Sequence, residues 1–112
     1  MFFKRYKCTN IGPDDLNEKK RSGQDFILLD VRTPQENASQ AIEGSHLIPL
    51  QELGSRINDL PRDKEIVVYC RTGSRSAFAC AHLAGMGYNV KNLEGGIMLW
   101  NMSGNLLVSS AS

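Results

Sequence analysis

Cys70 is followed by Arg71, Thr72, Gly73, Ser74, Arg75 and Ser76, so one thiol has two guanidinium groups, a glycine and three hydroxyls directly behind it. A thiol is a poor nucleophile until it loses its proton, and its surroundings control that loss. The apolar run EIVVYC at 65–70 leads into the cysteine and an alanine-rich segment leads away, which puts Cys70 where a strand turns into a helix. Unsatisfied N–H groups at a helix N-terminus stabilise a thiolate, and Arg71 and Arg75 add positive charge. Gly73 lets the backbone curl so that successive N–H groups converge on an anion, with Thr72, Ser74 and Ser76 as further donors. The loop predicts a depressed thiol pKa and an anion at or above the sulfur. A cysteine so placed could still be a metal ligand, half of a disulfide, a phosphate-transfer nucleophile, a sulfur carrier or a packed core thiol.

Spacing separates these. Tyrosine-phosphatase loops, which cradle a tetrahedral phosphate, place one more residue between cysteine and arginine. Here Arg71 to Ser74 alone precede Arg75, and Ser76 occupies the position that would complete the longer loop. The narrower bowl suits a sulfur atom attached to the cysteine better than a bound phosphate. No lysine and hydroxyl pair follows a second glycine, which excludes a P-loop. No CxxC occurs and His46 and His82 are not at zinc-finger offsets, so no metal is expected, and no cofactor. Three cysteines, Cys8, Cys70 and Cys80, at irregular spacing argue against a disulfide framework and for a mostly reduced protein. Cys80 reads as helix packing, and Cys8 has no visible partner.

The elements that must hold this loop alternate. YKCTNI at 6–11 reads as a short edge strand. GPDDLNEKKRSG follows as a helix with early aspartates, late basic residues and Gly23 as its stop. FILLDV at 26–31 is apolar on both faces, as a buried parallel strand must be. TPQENASQ reads as a short helix with Thr33 as N-cap and Pro34 at its first position. HLIPL at 46–50 is a short extended run, and LQELGSRINDL a helix weakened by Gly54. After the strand at 65–70, the spacing predicts a helix over 75–86, with Ala77, Cys80, Ala81 and Ala84 as its packing face and Gly85 and Gly87 as its end. NVKNL at 89–93 is a last strand, and GGIMLWNMSG a closing helix with Trp100 in the core and Gly95 and Gly96 as a candidate lip of the pocket. This alternation implies an α/β domain with a mainly parallel sheet, in which ligands collect at the carboxyl ends of strands.

With 112 residues the chain fits one domain, with a core over roughly 6–104 and a tail over 105–112. A net charge of +1 gives no general pull toward nucleic acid or an anionic membrane, so neither is expected as a partner. The N-terminal MFFKRYKCTN has no apolar core of signal-peptide length, and a cytoplasmic protein is expected.

The stretch VVYCRTGSRSAFACAHLAGMGYNVKNLEGGIMLW resembles the active-site half of a rhodanese domain, the fold of thiosulfate sulfurtransferases. FILLDVRTPQE and EGSHLIPLQEL are similar to that family's N-terminal half. The resemblance covers residues 6 to 104 and implies the rhodanese fold, a five-stranded sheet flanked by helices. It implies that Cys70 carries sulfur as a persulfide in a six-residue loop ending at Arg75. Two departures stand out. Asn37 replaces an aromatic residue, and Ala41 stands where the family has histidine.

The implied function is double displacement. Cys70 takes the sulfane sulfur of thiosulfate or a related donor, and cyanide or a thiol removes it. A persulfide carrier in a relay with a protein acceptor is the alternative, and a phosphatase or arsenate reductase is disfavoured by the short loop. Arg71 is expected to contact substrate and Arg75 either to do so or to sit in an internal ion pair. Asp30 and Arg32 are expected to organise structure. His82 is expected to be solvent-exposed or locally packed on its helix, His46 has no supporting constellation, and a monomer is expected.

Overall fold

Alternating strand and helix become one parallel sheet in the structure, a computed structural model that describes residues 6–109. The elements run β1 (Thr9–Ile11), α1 (Pro13–Arg21), β2 (Phe26–Asp30), α2 (Pro34–Ser39), β3 (His46–Leu47), β4 (Glu65–Tyr69), α3 (Ser74–Gly85), β5 (Val90–Leu93) and α4 (Gly96–Met102). Among the described residues the strands form one sheet in the order β1-β5-β4-β2-β3, every pair parallel. The fold is thus α/β with a fully parallel sheet, as its two-sidedly apolar strands require.

The alternation of side chains along β4 sorts the core into two layers. Ile66, Val68 and Cys70 face one side with Leu29, Val31, Ala79, Cys80 and Leu83. Val67 and Tyr69 face the other with Leu16, Leu28, Ile97 and Trp100. Helix α3 therefore covers the face that carries Cys70, and α1 and α4 cover the opposite one. The period of two fixes the side on which the thiol emerges.

Three expectations need correction. The packing face of α3 is Ser76, Ala79, Cys80, Leu83 and Ala84, whereas Ala77 and Ala81 are exposed. Small residues occur on both sides of this helix, and the bulk of Leu83 decides which side turns inward. The segment after β3 is two 3-10 turns, Leu50–Glu52 and Ile57–Asp59, with the break falling around Gly54. Most consequentially, Cys8 and Cys80 form a disulfide, with Cα atoms 5.4 Å apart across 72 residues of sequence. The bridge joins the approach to edge strand β1 to the middle of α3, a proximity created by placing β1 beside β5.

Of the tail expected over 105–112, residues 105–109 are described, and they pack back onto the domain. Ala41 and Val108 exchange both backbone hydrogen bonds at 2.8 Å. Residues 1–5 and 110–112 lie outside the described residues.

Candidate active site

The N-cap residue of α3 is Gly73, which sits at φ 107° and has no side chain to cap the first turn. The sulfur of Cys70 takes that place. Its Sγ accepts from the N–H of Gly73 at 3.1 Å and the N–H of Ser76 at 3.4 Å, and lies 3.3 Å from the Ser76 hydroxyl. A helix N-terminus therefore converges on the sulfur itself.

Burial pushes the Cys70 thiol up, since the residue is only 1% exposed. The Ser76 hydroxyl and the N–H groups of Ser76, Gly73 and Thr72 pull it down, and the donors win, leaving the thiol below its ordinary value. These donors, expected from the sequence beside the arginine charge, are the main cause of the depression.

Asn92, which sequence reasoning passed over, holds the loop from β5. Its Nδ2 donates to the Gly73 carbonyl at 3.1 Å and its Oδ1 accepts from the Ser76 hydroxyl at 2.6 Å. The carbonyl requires a donor, which fixes the orientation of the amide. The hydroxyl has one proton and two acceptors, so the backbone amides are the donors that the sulfur does not share.

The loop is also braced from α4. Ile97 N–H donates to the Cys70 carbonyl at 2.9 Å and Met98 N–H to the Arg71 carbonyl at 3.1 Å. A Cβ on Gly96, at φ 62°, would stand 2.6 Å from the Cys70 carbonyl oxygen and closer still to that of Arg71. Gly96 is thus an abutment that lets two chains touch, more than the lip expected from the sequence.

Arg75 sits in an internal ion pair, one of the two settings expected for it. Its Nη1 and Nη2 donate to the two oxygens of Glu36 at 2.7 and 2.9 Å. Glu36 also closes a capping box with Thr33 at the start of α2, so a helix cap and the Cys70 loop share one carboxylate. The pair of Arg75 hydrogen bonds holds the Glu36 carboxyl at about 2, against an ordinary value of 4.5. A carboxylate depressed on folding stabilises the protein above its unfolded pKa and ceases to do so as pH falls through its folded one. The unfolding midpoints of the wild type and Glu36→Gln should therefore differ fully at neutral pH, approach each other below about pH 4.5 and meet near pH 2. A gap that persists unchanged to pH 2 in urea titrations contradicts this assignment.

Asp30 and Arg32 form a buried bidentate pair, with Nε to Oδ1 at 3.0 Å and Nη2 to Oδ2 at 2.8 Å. Asn37 donates to Asp30 Oδ2 at 3.0 Å, which gives the first sequence departure a structural role. The Tyr69 hydroxyl lies 3.2 Å from the same oxygen and accepts from the N–H of Ile42. Arg71, Thr72 and Ser74 are exposed, as are His46 and His82. Arg71 lines a cleft of about 460 Å³ beside the loop, together with residues of α2 and α4. Among the described residues no group of three or more His, Cys, Asp or Glu side chains could hold a metal ion.

The rhodanese-like domain model matches residues 12–103. A sulfurtransferase of Allochromatium vinosum is 37% identical over 100 residues, covering 88% of this chain and 94% of its own. The thiosulfate sulfurtransferase of Ectopseudomonas mendocina is 34% identical over 91 residues, 80% of this chain and 82% of its own. A rhodanese-related protein from Thermoplasma volcanium superposes with a TM-score of 0.83 at 37% identity, covering 89% of this chain and 97% of that one.

Proposed function

The chain belongs to the rhodanese-like domain family, and from that premise we propose that it moves the sulfane sulfur of thiosulfate, through a Cys70 persulfide, to cyanide or a thiol. The observation that carries this reading is the convergence of the Gly73 and Ser76 N–H groups on Sγ. Donors so placed favour the thiolate before reaction. In the second half-reaction they hold the negative charge that returns to Sγ as the outer sulfur leaves. Thiolate attack on the outer sulfur of thiosulfate forms the S–S bond and releases sulfite. Attack by the acceptor on the outer sulfur of the persulfide then returns Cys70 to thiolate.

Arg71, whose guanidinium has no carboxylate partner among the described residues, is the cation offered to an anionic donor. Arg75 is committed to Glu36, and Asp30 with Arg32 holds the end of β2. Thiosulfate treatment should add one sulfur atom to the intact mass, reversed by dithiothreitol and absent in Cys70→Ala. No mass gain in the wild type rejects thiosulfate as donor. Uptake without steady-state turnover would make the protein a persulfide carrier in a relay with a protein acceptor. Turnover with intersecting, not parallel, double-reciprocal plots would exclude double displacement.

We place this chemistry in the cytoplasm, where small thiols abound. The Cys8–Cys80 bridge must then resist the local reductants, which alkylation of free thiols at lysis would show.

A further inference from the structure

The cleft beside Arg71 has two walls supplied by helices and a third supplied by something else. Gln35 and Ser39 come from α2, Met98 and Asn101 from α4, and Leu107 from the segment that follows α4. That segment lies beyond the residues 12–103 matched by the family model. It is tied down at both ends. Near α4, Trp100 Nε1–H donates to the Leu106 carbonyl at 3.2 Å, and Asn105 Nδ2 donates to the Trp100 carbonyl at 3.2 Å. Near α2, Val108 and Ala41 exchange hydrogen bonds, and the Ser109 hydroxyl donates to the Ala38 carbonyl at 3.1 Å. Between these anchors Leu107 packs against the core layer containing Ile97 and Trp100. The segment is a strap joining the two helices that flank the cleft.

We propose that residues 105–109 are a specificity-determining strap, which shapes this cleft to accept a small organic thiol with an anionic end and an apolar body. The proposal rests on the sulfurtransferase reading and names the acceptor for it. Three features point to that chemistry. The cleft, at about 460 Å³, falls within the roughly 300–1,000 Å³ of sites that hold small organic ligands, and an inorganic ion would fill a minor part of it. The charges around it are otherwise spent, Arg32 on Asp30 and Glu36 on Arg75, which leaves Arg71 for an anionic group. Leu107 and Met98 offer apolar surface, with the side-chain amides of Gln35 and Asn101 to orient a polar backbone. With the anion on Arg71 and the body against Leu107, the acceptor thiolate is brought beside the Cys70 loop. Its attack on the outer sulfur of the persulfide breaks the bond to Cys70. The outer sulfur leaves as the acceptor's persulfide anion, and Cys70 is again a thiolate. No external oxidant or reductant is consumed.

The test uses S-methylglutathione, an anionic thioether that cannot reduce the Cys8–Cys80 bridge, titrated calorimetrically into the full chain. The wild type should bind it. Leu107→Ala, which removes only the apolar wall, and Val108→Pro, which removes the N–H donated to Ala41, should each weaken binding about tenfold. Val108→Pro should also shift the emission of Trp100, the chain's one tryptophan, as its indole hydrogen bond is freed. Absence of binding to the wild type, or equal binding by all three proteins, overturns the proposal. Thiosulfate–cyanide turnover of the wild type is measured alongside. Turnover without binding sinks the strap alone, and binding without turnover removes the thiosulfate–cyanide reaction from the proposed function while the strap's shaping of the cleft stands.

Discussion

Cys70→Ser should fold like the wild type and lose sulfur transfer by at least about a thousandfold, the scale seen when a covalent nucleophile is removed. The chemistry makes the effect this large. The donor's sulfur has to be held covalently between two half-reactions, and a hydroxyl forms no S–S bond. Structurally the change is mild. A serine oxygen can accept from the N–H groups of Gly73 and Ser76 as the sulfur does, so the first turn of α3 keeps a cap. Loss of activity with an unchanged unfolding midpoint is the expected pairing. The wild type adds a second signature. Cys70 is the free cysteine of the described structure, so its alkylation rate against pH reports one thiol, and the inflection should fall below the ordinary 9.0. Sulfur uptake should rise through the same pH range and level off once the thiolate dominates. A serine variant that keeps more than about a thousandth of wild-type uptake would move the sulfur-bearing role elsewhere.

The loop was legible in the sequence because its parts are contiguous. A strand, a cysteine, a positive-φ glycine and a helix start occur within a few residues, and local chemistry decides their arrangement. Thr33 and Pro34 were legible for the same reason, since a helix cap is a local device. What stayed hidden depends on chain segments far apart in sequence. Arg75 meets Glu36 across 39 residues, and the sequence left open whether it touched substrate or an internal partner. Asn92 reaches the loop from β5, and a single asparagine in NVKNL carries no sign of that reach. The face of α3 was misjudged because alanines occur around the helix, so periodicity alone does not choose a side. Ala41 was seen as a departure from the family, yet its partner, Val108, lies in a tail with no pattern of its own. The strap exists only through these tertiary contacts.

The Cys8–Cys80 bridge is the largest stability effect the structure predicts. Closing 72 residues of chain lowers the entropy of the unfolded state by an amount worth about 4 kcal/mol in the chain-entropy model. Edge strand β1 has only three residues, paired on one side to β5, and the bridge ties the residue before it to α3. Reduction should therefore lower the urea unfolding free energy by about 4 kcal/mol. Cys8→Ser should start at that lower level and respond to reductant no further. The control matters for the chemistry, because the dithiothreitol that strips a persulfide from Cys70 also opens the bridge. With Cys8→Ser as the baseline the two events separate, one read as a sulfur atom lost and the other as a stability already missing. The bridge lies on α3 beyond the loop, at Cys80, and the donors to the sulfur come from residues 72 to 76. Stability should fall on reduction while the Cys70 inflection stays where it was. Equal unfolding free energies for the oxidised and reduced wild type would show that the bridge constrains nothing the fold does not already hold.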